Sequence, residues 1–143
     1  MNFLPIFCNL YLKIMKLNTF LFLNVIFSLL NAIGAIFMPA FILNIYGIEI
    51  GKGVELMAQY AGIGSVAIGL LAYFTTKIKQ SSAKRYIVLS IFISDVIGMI
   101  ISVLGTLKGI MSLAGWSLVI VYLFFVLGYG YFIFVKNDLS LKL

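Results

Sequence analysis

The stretch RYIVLSIFISDVIGMIISVLGTL, Arg85 to Leu107, opens on a cation, stays apolar for the length of a bilayer crossing, and is interrupted by one carboxylate, Asp95. Wound as a helix, it sets Ile91, Asp95, Gly98, Ser102 and Gly105 on one stripe, by steps of four, three, four and three. The acid shares that face with small residues that let helices approach closely, and an ionisable group inside a span is expected to face its neighbours and not lipid. We read the stretch as one span of a polytopic helical membrane protein.

The composition agrees. Of 143 residues, 64% are hydrophobic and 10% charged, with a mean hydropathy of +1.20; a soluble domain carries about 25% charged residues. Too little polar surface is present to coat a water-soluble globule, so lipid is the expected solvent for most of the chain. The net charge is +6, from ten Lys and Arg against four acids. Those cations sit in short loops between apolar runs, which suits topology signals and contact with anionic lipid headgroups. A nucleic-acid binder would cluster them on a polar face, so no nucleic-acid partner is expected. Cys8 is the single cysteine and histidine is absent, which removes an internal disulfide, the commonest zinc ligand and the easiest general base. No metal or cofactor is called for.

Four spans follow. Leu17–Met38 is too long for a signal-peptide core and is expected to stay as an anchor; Asn24, Ser28 and Asn31 give it a polar seam, and Pro39 closes it. Phe41 to Tyr46 is expected as a short turn in the headgroup layer, ended by Gly47, with Gly51-Lys52-Gly53 making the connection flexible. Val54–Thr76 is the second span, with Gln59, Gly62, Val66, Gly69 and Tyr73 on one stripe. A basic loop, Lys77 to Arg85, leads into the third span, 85–107. A second short loop, Lys108 to Ala114, leads into the fourth span, 113–135, with Trp116 as an interfacial anchor. Residues 136–143 form a short tail. Residues 1–16 admit two readings: an upstream extension with Met15 as the native start, or an interfacial segment with Phe3, Leu4, Phe7, Leu10 and Tyr11 at helical spacing.

The cations orient the spans. Lys13, Lys16, Lys77, Lys79, Lys84, Arg85, Lys136 and Lys142 flank one side, Lys52 and Lys108 the other. Under the positive-inside rule both termini and the central loop are expected in the cytoplasm. The expected fold is all-α: a membrane four-helix bundle running up-down-up-down. Asn31-Ala-Ile-Gly-Ala-Ile and Asp95-Val-Ile-Gly-Met-Ile match at an offset of 64 residues, as do Gly51 with Gly115 and Gly64 with Gly128. Two parallel copies of a hairpin would produce this, and in a chain so rich in glycine chance accounts for it equally well.

At about 1.5 Å of rise per residue, Asp95 lies about 18 Å from the outer end of its span, with Asn24 and Ser65 at about 21 and 16 Å; Asn31 and Gln59 lie at about 10 and 8 Å. Two polar levels are expected, an inner one around Asp95 and an outer one around Gln59. The candidate site residues are therefore Asp95, Asn24, Ser28, Asn31, Gln59 and Ser65. No span holds a base to pair with Asp95, so its protonated form is expected. It either serves as a protonatable centre or joins helices by hydrogen bonds to Asn24, Ser28 or Tyr122. Glu49 and Glu55 suit solvation and the N-terminal end of a helix, and Glu55 is about 15 Å from Asp95 in depth, too far for a two-carboxylate hydrolase. Serines without a base and a cysteine without histidine offer no nucleophile pair, so no enzyme activity is expected.

The pieces Met38-Pro39, Tyr46-Gly47-Ile48, the Gly-rich run Gly62 to Gly69, the basic loop 77–85 and Gly115-Trp116-Ser117 resemble, in this order, a broad set of small bacterial integral membrane proteins of unknown function with four predicted helices. The resemblance implies a fold and a place in the bacterial cytoplasmic membrane, not an activity. It is not to small proton-coupled multidrug exporters, whose essential acid lies in the first helix, where this chain has Asn24 and Asn31. The functional expectation is a non-enzymatic structural, accessory or apolar-ligand-binding membrane protein, in contact with membrane lipids and packing as a homodimer or with another membrane protein. The alternative is a small transporter or proton-linked channel subunit using Asp95.

Overall fold

The computed structural model describes residues 16–79 and 81–135; the N-terminal segment with its two readings and the tail from Lys136 lie outside them. Among the described residues there is no strand. The elements are α1 (Leu17–Phe37), α2 (Pro39–Ile45), α3 (Lys52–Lys77), α4 (Ser81–Leu107) and α5 (Gly115–Gly130), which widens into a single π turn, Tyr131–Val135. Four of them are long and apolar enough to cross a membrane: α1, α3, α4 and α5 with its π turn. Lipid offers no hydrogen bonds to a free backbone, and a helix satisfies its own.

The segment after Pro39 is not a turn but a helix. Met38 precedes a proline and leaves the helical region (φ −135°, ψ 51°), which ends α1, while Pro39 starts α2 at a position where its missing N–H is no loss. Gly47 closes α2 at φ +68°. Its N–H bonds the Asn44 carbonyl and that of Ile48 bonds the Leu43 carbonyl, the two bonds of a Schellman cap. Gly109, at φ +71°, caps α4 through the same pair of bonds, to Thr106 and Gly105. The two caps meet: the Ser112 N–H donates to the Tyr46 carbonyl at 2.7 Å.

Three helix starts also differ from expectation, that of α5 falling at Gly115, two residues after Leu113. α3 begins at Lys52, two residues early, because the Gly51 carbonyl already accepts from the Glu55 N–H. α4 begins at Ser81, which takes Lys84 and Arg85 out of the loop and into the first turns of a helix. There the Lys84 Nζ donates to Asn18 Oδ1 at 2.5 Å and ties α4 to the start of α1.

α1 packs chiefly on α3, and α4 on α5. A cluster of buried side chains then joins all four: Phe20, Leu21 and Val25 of α1, Ala72 of α3, Val88 and Ile91 of α4, and Phe125, Tyr129 and Phe132 at the end of the chain. Its centre is Phe20, fully buried, with its ring against Tyr129, Phe125, Phe124 and Phe132. That ring lies on the bare backbone of Gly128, where any Cβ would overlap it. The opposite faces are apolar and uncovered, with Phe22, Leu30, Phe37, Ile101, Ile120 and Phe134 exposed. In water such a surface would drive aggregation; in lipid it is the ordinary outside of a span.

Candidate functional site

The expected stripe of α4 does turn inward: Ile91, Asp95 and Ser102 are buried and Gly98 and Gly105 half-buried. The α3 stripe follows expectation only in part. Gly62 and Gly69 are buried, but the inward face continues through Ala72 and Thr75, while Tyr73 is exposed under the Lys77 ammonium. A helix of 3.6 residues per turn drifts away from a strict four-three count over about four turns, which carries Tyr73 off the stripe.

A cavity of about 370 Å³ opens among α1, α3, α4 and α5. Five of the six candidate residues line it: Asn24, Ser28, Asn31, Ser65 and Asp95. Asn24 and Asp95 are buried, at 3% and 7% exposure, and Ser28 and Ser65 are half-buried, while Asn31 is exposed. The floor is thus deep and the rim open. Apolar walls come from Phe27, Ile68, Val121 and Phe125.

Gln59 is the exception. Its Nε2 donates to the Ile36 carbonyl at 3.1 Å, fastening α3 to the last turn of α1. Asn31, placed beside Gln59 by rise alone, instead donates to Ser65 Oγ at 2.9 Å. The two-level arrangement is therefore corrected: Asn31 belongs with the Asp95 group, and Gln59 is a helix tie. Helix rise counts depth along each axis but carries no information on tilt or rotation, and those select the partner.

Hydrogen bonding on the wall is mostly internal. Ser28 Oγ donates to Asn24 Oδ1 at 2.9 Å, and Ser65 Oγ, having accepted from Asn31, donates to the Ala61 carbonyl at 3.2 Å. Off the wall, Ser102 Oγ and Thr106 Oγ1 donate to carbonyls of their own helix, Gly98 and Ser102. Asp95 is different: its Oδ2 is buried without a hydrogen-bond partner, as is the Tyr129 hydroxyl. The Asn24 amide approaches that hydroxyl without reaching hydrogen-bond geometry. Of the helix-joining bonds expected from Asp95 to Asn24, Ser28 or Tyr122, Oδ2 thus makes none. Tyr122 and Tyr129 lie within electrostatic reach of the carboxyl. The Tyr122 ring rests on Gly98, one turn from Asp95, where a Cβ would meet its Cε1 and Cζ at 2.7 Å.

Pattern reading missed Ser94, which lines the cavity beside Asp95. A single narrow stripe excludes the residue next to the acid, whereas a cavity wider than one side chain reaches both. Phe27 and Phe125 were also missed, since aromatic residues in an apolar span carry no marker separating core, lipid face and cavity wall. Among the described residues no three metal-ligating side chains converge. Glu49 is exposed in the α2–α3 connection, and Glu55 lies in the first turn of α3.

The four long apolar helices mark a multi-pass helical membrane protein. No family model, curated protein or solved structure matches the chain, so the resemblance to small bacterial four-helix proteins rests on its short motifs alone.

Proposed function

We propose that this chain is a non-enzymatic protein of the bacterial cytoplasmic membrane that holds a small, mainly apolar ligand between its helices. The observation that carries the reading is the cavity itself. It has a deep polar floor at Asp95 and Asn24, apolar aromatic walls, and a volume at the lower end of the range of small-molecule sites, about 300–1,000 Å³. A purely structural bundle would close such a space by packing, since interiors approach crystal density.

The up-down-up-down bundle is supported by side-chain neighbours. A Cβ at Gly62 would meet Ala35 and one at Gly69 would meet Ser28, while Phe92 packs on Phe134 and Gly98 on Tyr122. Orientation is supported by charge. Lys16, Lys77, Lys79, Lys84 and Arg85 belong to the end where α1 and α4 start and α3 stops, while Lys52 and Lys108 at the other end are offset by Glu49 and Glu55. The five-cation end is assigned to the cytoplasm.

The test uses the full chain in phosphatidylcholine nanodiscs with n-octanol as probe. Saturable binding raises unfolding stability by ~1.4 kcal/mol at a tenfold excess over Kd, and Val121→Phe, which puts a phenyl ring into the cavity where the probe would lie, removes the effect. Stabilisation that never saturates, or that survives Val121→Phe, refutes the reading. A second reading, a small transporter or proton-linked channel subunit, draws on the unpartnered Asp95 oxygen; it requires a pH-dependent flux in proteoliposomes that Asp95→Asn abolishes.

A further inference from the structure

We propose that the ligand is a monocationic amphiphile, such as a protonated primary alkylamine, which enters from the lipid between α3 and α4 and sets its ammonium against Asp95. The inference rests on the reading of the cavity as a ligand site and names the class of molecule that fills it.

Charge is the first argument. Asp95 is 7% exposed, its Oδ2 has no partner, and no cation lines the cavity. A buried polar atom left unbonded is destabilising, and a buried charge needs a counter-charge. Without a counter-charge the acid is expected to keep its proton, and an anionic ligand would leave it so. One ammonium against one carboxylate leaves the cavity neutral and supplies the missing donors.

The wall chemistry points the same way. Three of its donors, on Ser28, Asn31 and Ser65, are already engaged within the protein. What the wall still presents is the Asp95 carboxyl, the Asn24 amide, the Ser94 and Tyr122 hydroxyls and the rings of Phe27, Phe125 and Tyr122. An oxygen acceptor and aromatic rings both favour an N–H cation, the rings through their negative faces. The same rings, with Ile68 and Val121, receive a short apolar chain.

The route is set by exposed lining residues on α3 and α4, which follow one another in sequence. On the α3 side Gly64 borders the cavity with no atom within 4 Å of where its Cβ would stand, and on the α4 side Ser94 is exposed. The cavity thus communicates sideways with the apolar layer around the spans. A molecule already dissolved in the bilayer meets this opening, and an amphiphile is such a molecule.

The experiment compares n-octylamine with n-octanol, two probes of equal chain length, on the full chain in zwitterionic phosphatidylcholine nanodiscs. The readout is the thermal unfolding midpoint against probe concentration, for the wild type, Asp95→Asn and Val121→Phe. At neutral pH the amine is protonated, as a lysine side chain is. The expected result is octylamine binding about tenfold more tightly than octanol in the wild type, near-equal binding of the two in Asp95→Asn, and loss of both in Val121→Phe. Equal affinities in the wild type, with Val121→Phe still abolishing both, overturn the cationic ligand and leave the ligand site standing. Absence of saturable binding by either probe overturns both. The wild-type amine-to-alcohol ratio decides the proposal even where Asp95→Asn does not fold.

Discussion

Replacing Gly128 by alanine tests whether the Phe20 ring is seated on bare backbone, and Gly64→Ala is its internal control. Both substitutions add one methyl group to a glycine inside a membrane-spanning helix, and both carry the same gain in helix propensity, up to about 1 kcal/mol. They differ in what the methyl group meets. At Gly128 it faces Phe20 Cε2 and Cε1 at 2.5 and 2.7 Å, against the 3.5–4.0 Å at which carbons rest in contact. The ring's Cζ overlaps the methyl group more closely still, so the ring must retreat by more than about 1 Å. It has nowhere to go: Phe20 is fully buried, with the rings of Tyr129, Phe124, Phe125 and Phe132 at centroid distances of 4.9, 5.5, 5.6 and 5.7 Å. Overpacking of this kind costs about 1–3 kcal/mol. At Gly64 no atom lies within 4 Å, so only the helix gain remains. Because that gain cancels between the variants, Gly128→Ala is expected to be less stable than Gly64→Ala by about 1–3 kcal/mol. Reversible unfolding by sodium dodecyl sulfate in mixed micelles, followed by far-ultraviolet circular dichroism, measures the difference. Equal midpoints, or the reverse order, refute the packing of α1 on α5 described above.

Asn31→Ala removes the one side-chain bond from α1 to Ser65 and is expected to lower stability by about 0.6–1.7 kcal/mol in the same assay, with a double-mutant cycle against Ser65→Ala assigning the loss to the pair. Gln59→Ala, which breaks the tie to the Ile36 carbonyl, is expected to lower stability while leaving octanol affinity within twofold of wild type, because Gln59 does not line the cavity. Gly98→Ala drives the Tyr122 ring from its seat at a cost of about 1–3 kcal/mol, and Tyr122→Ala in the same chain is expected to cancel most of that loss. In a Cys8→Ser background, a cysteine at Lys79 is expected to react with an impermeant maleimide only in inverted vesicles and one at Glu49 only in right-side-out cells; the opposite pattern reverses the orientation.

The lipid solvent, the number of spans and the inward turn of Asp95 were legible in the residues because each is a property of one helix at a time. A run such as 85–107 must satisfy its backbone internally, and the 3.6-residue period then decides which side chains share a face. The caps at Gly47 and Gly109 are equally local, although only the structure turned the expected headgroup-layer turn into the helix α2. What the tertiary structure alone decided is which polar groups meet. Asn31 and Gln59 stand at similar depth by rise, yet one bonds Ser65 beside Asp95 and the other a backbone carbonyl of α1. That choice depends on how far each helix is rotated and tilted. Rotation and tilt are set by contacts between segments far apart in the chain, among them Phe20 on Gly128 and Tyr122 on Gly98, and no pattern within a single segment encodes them.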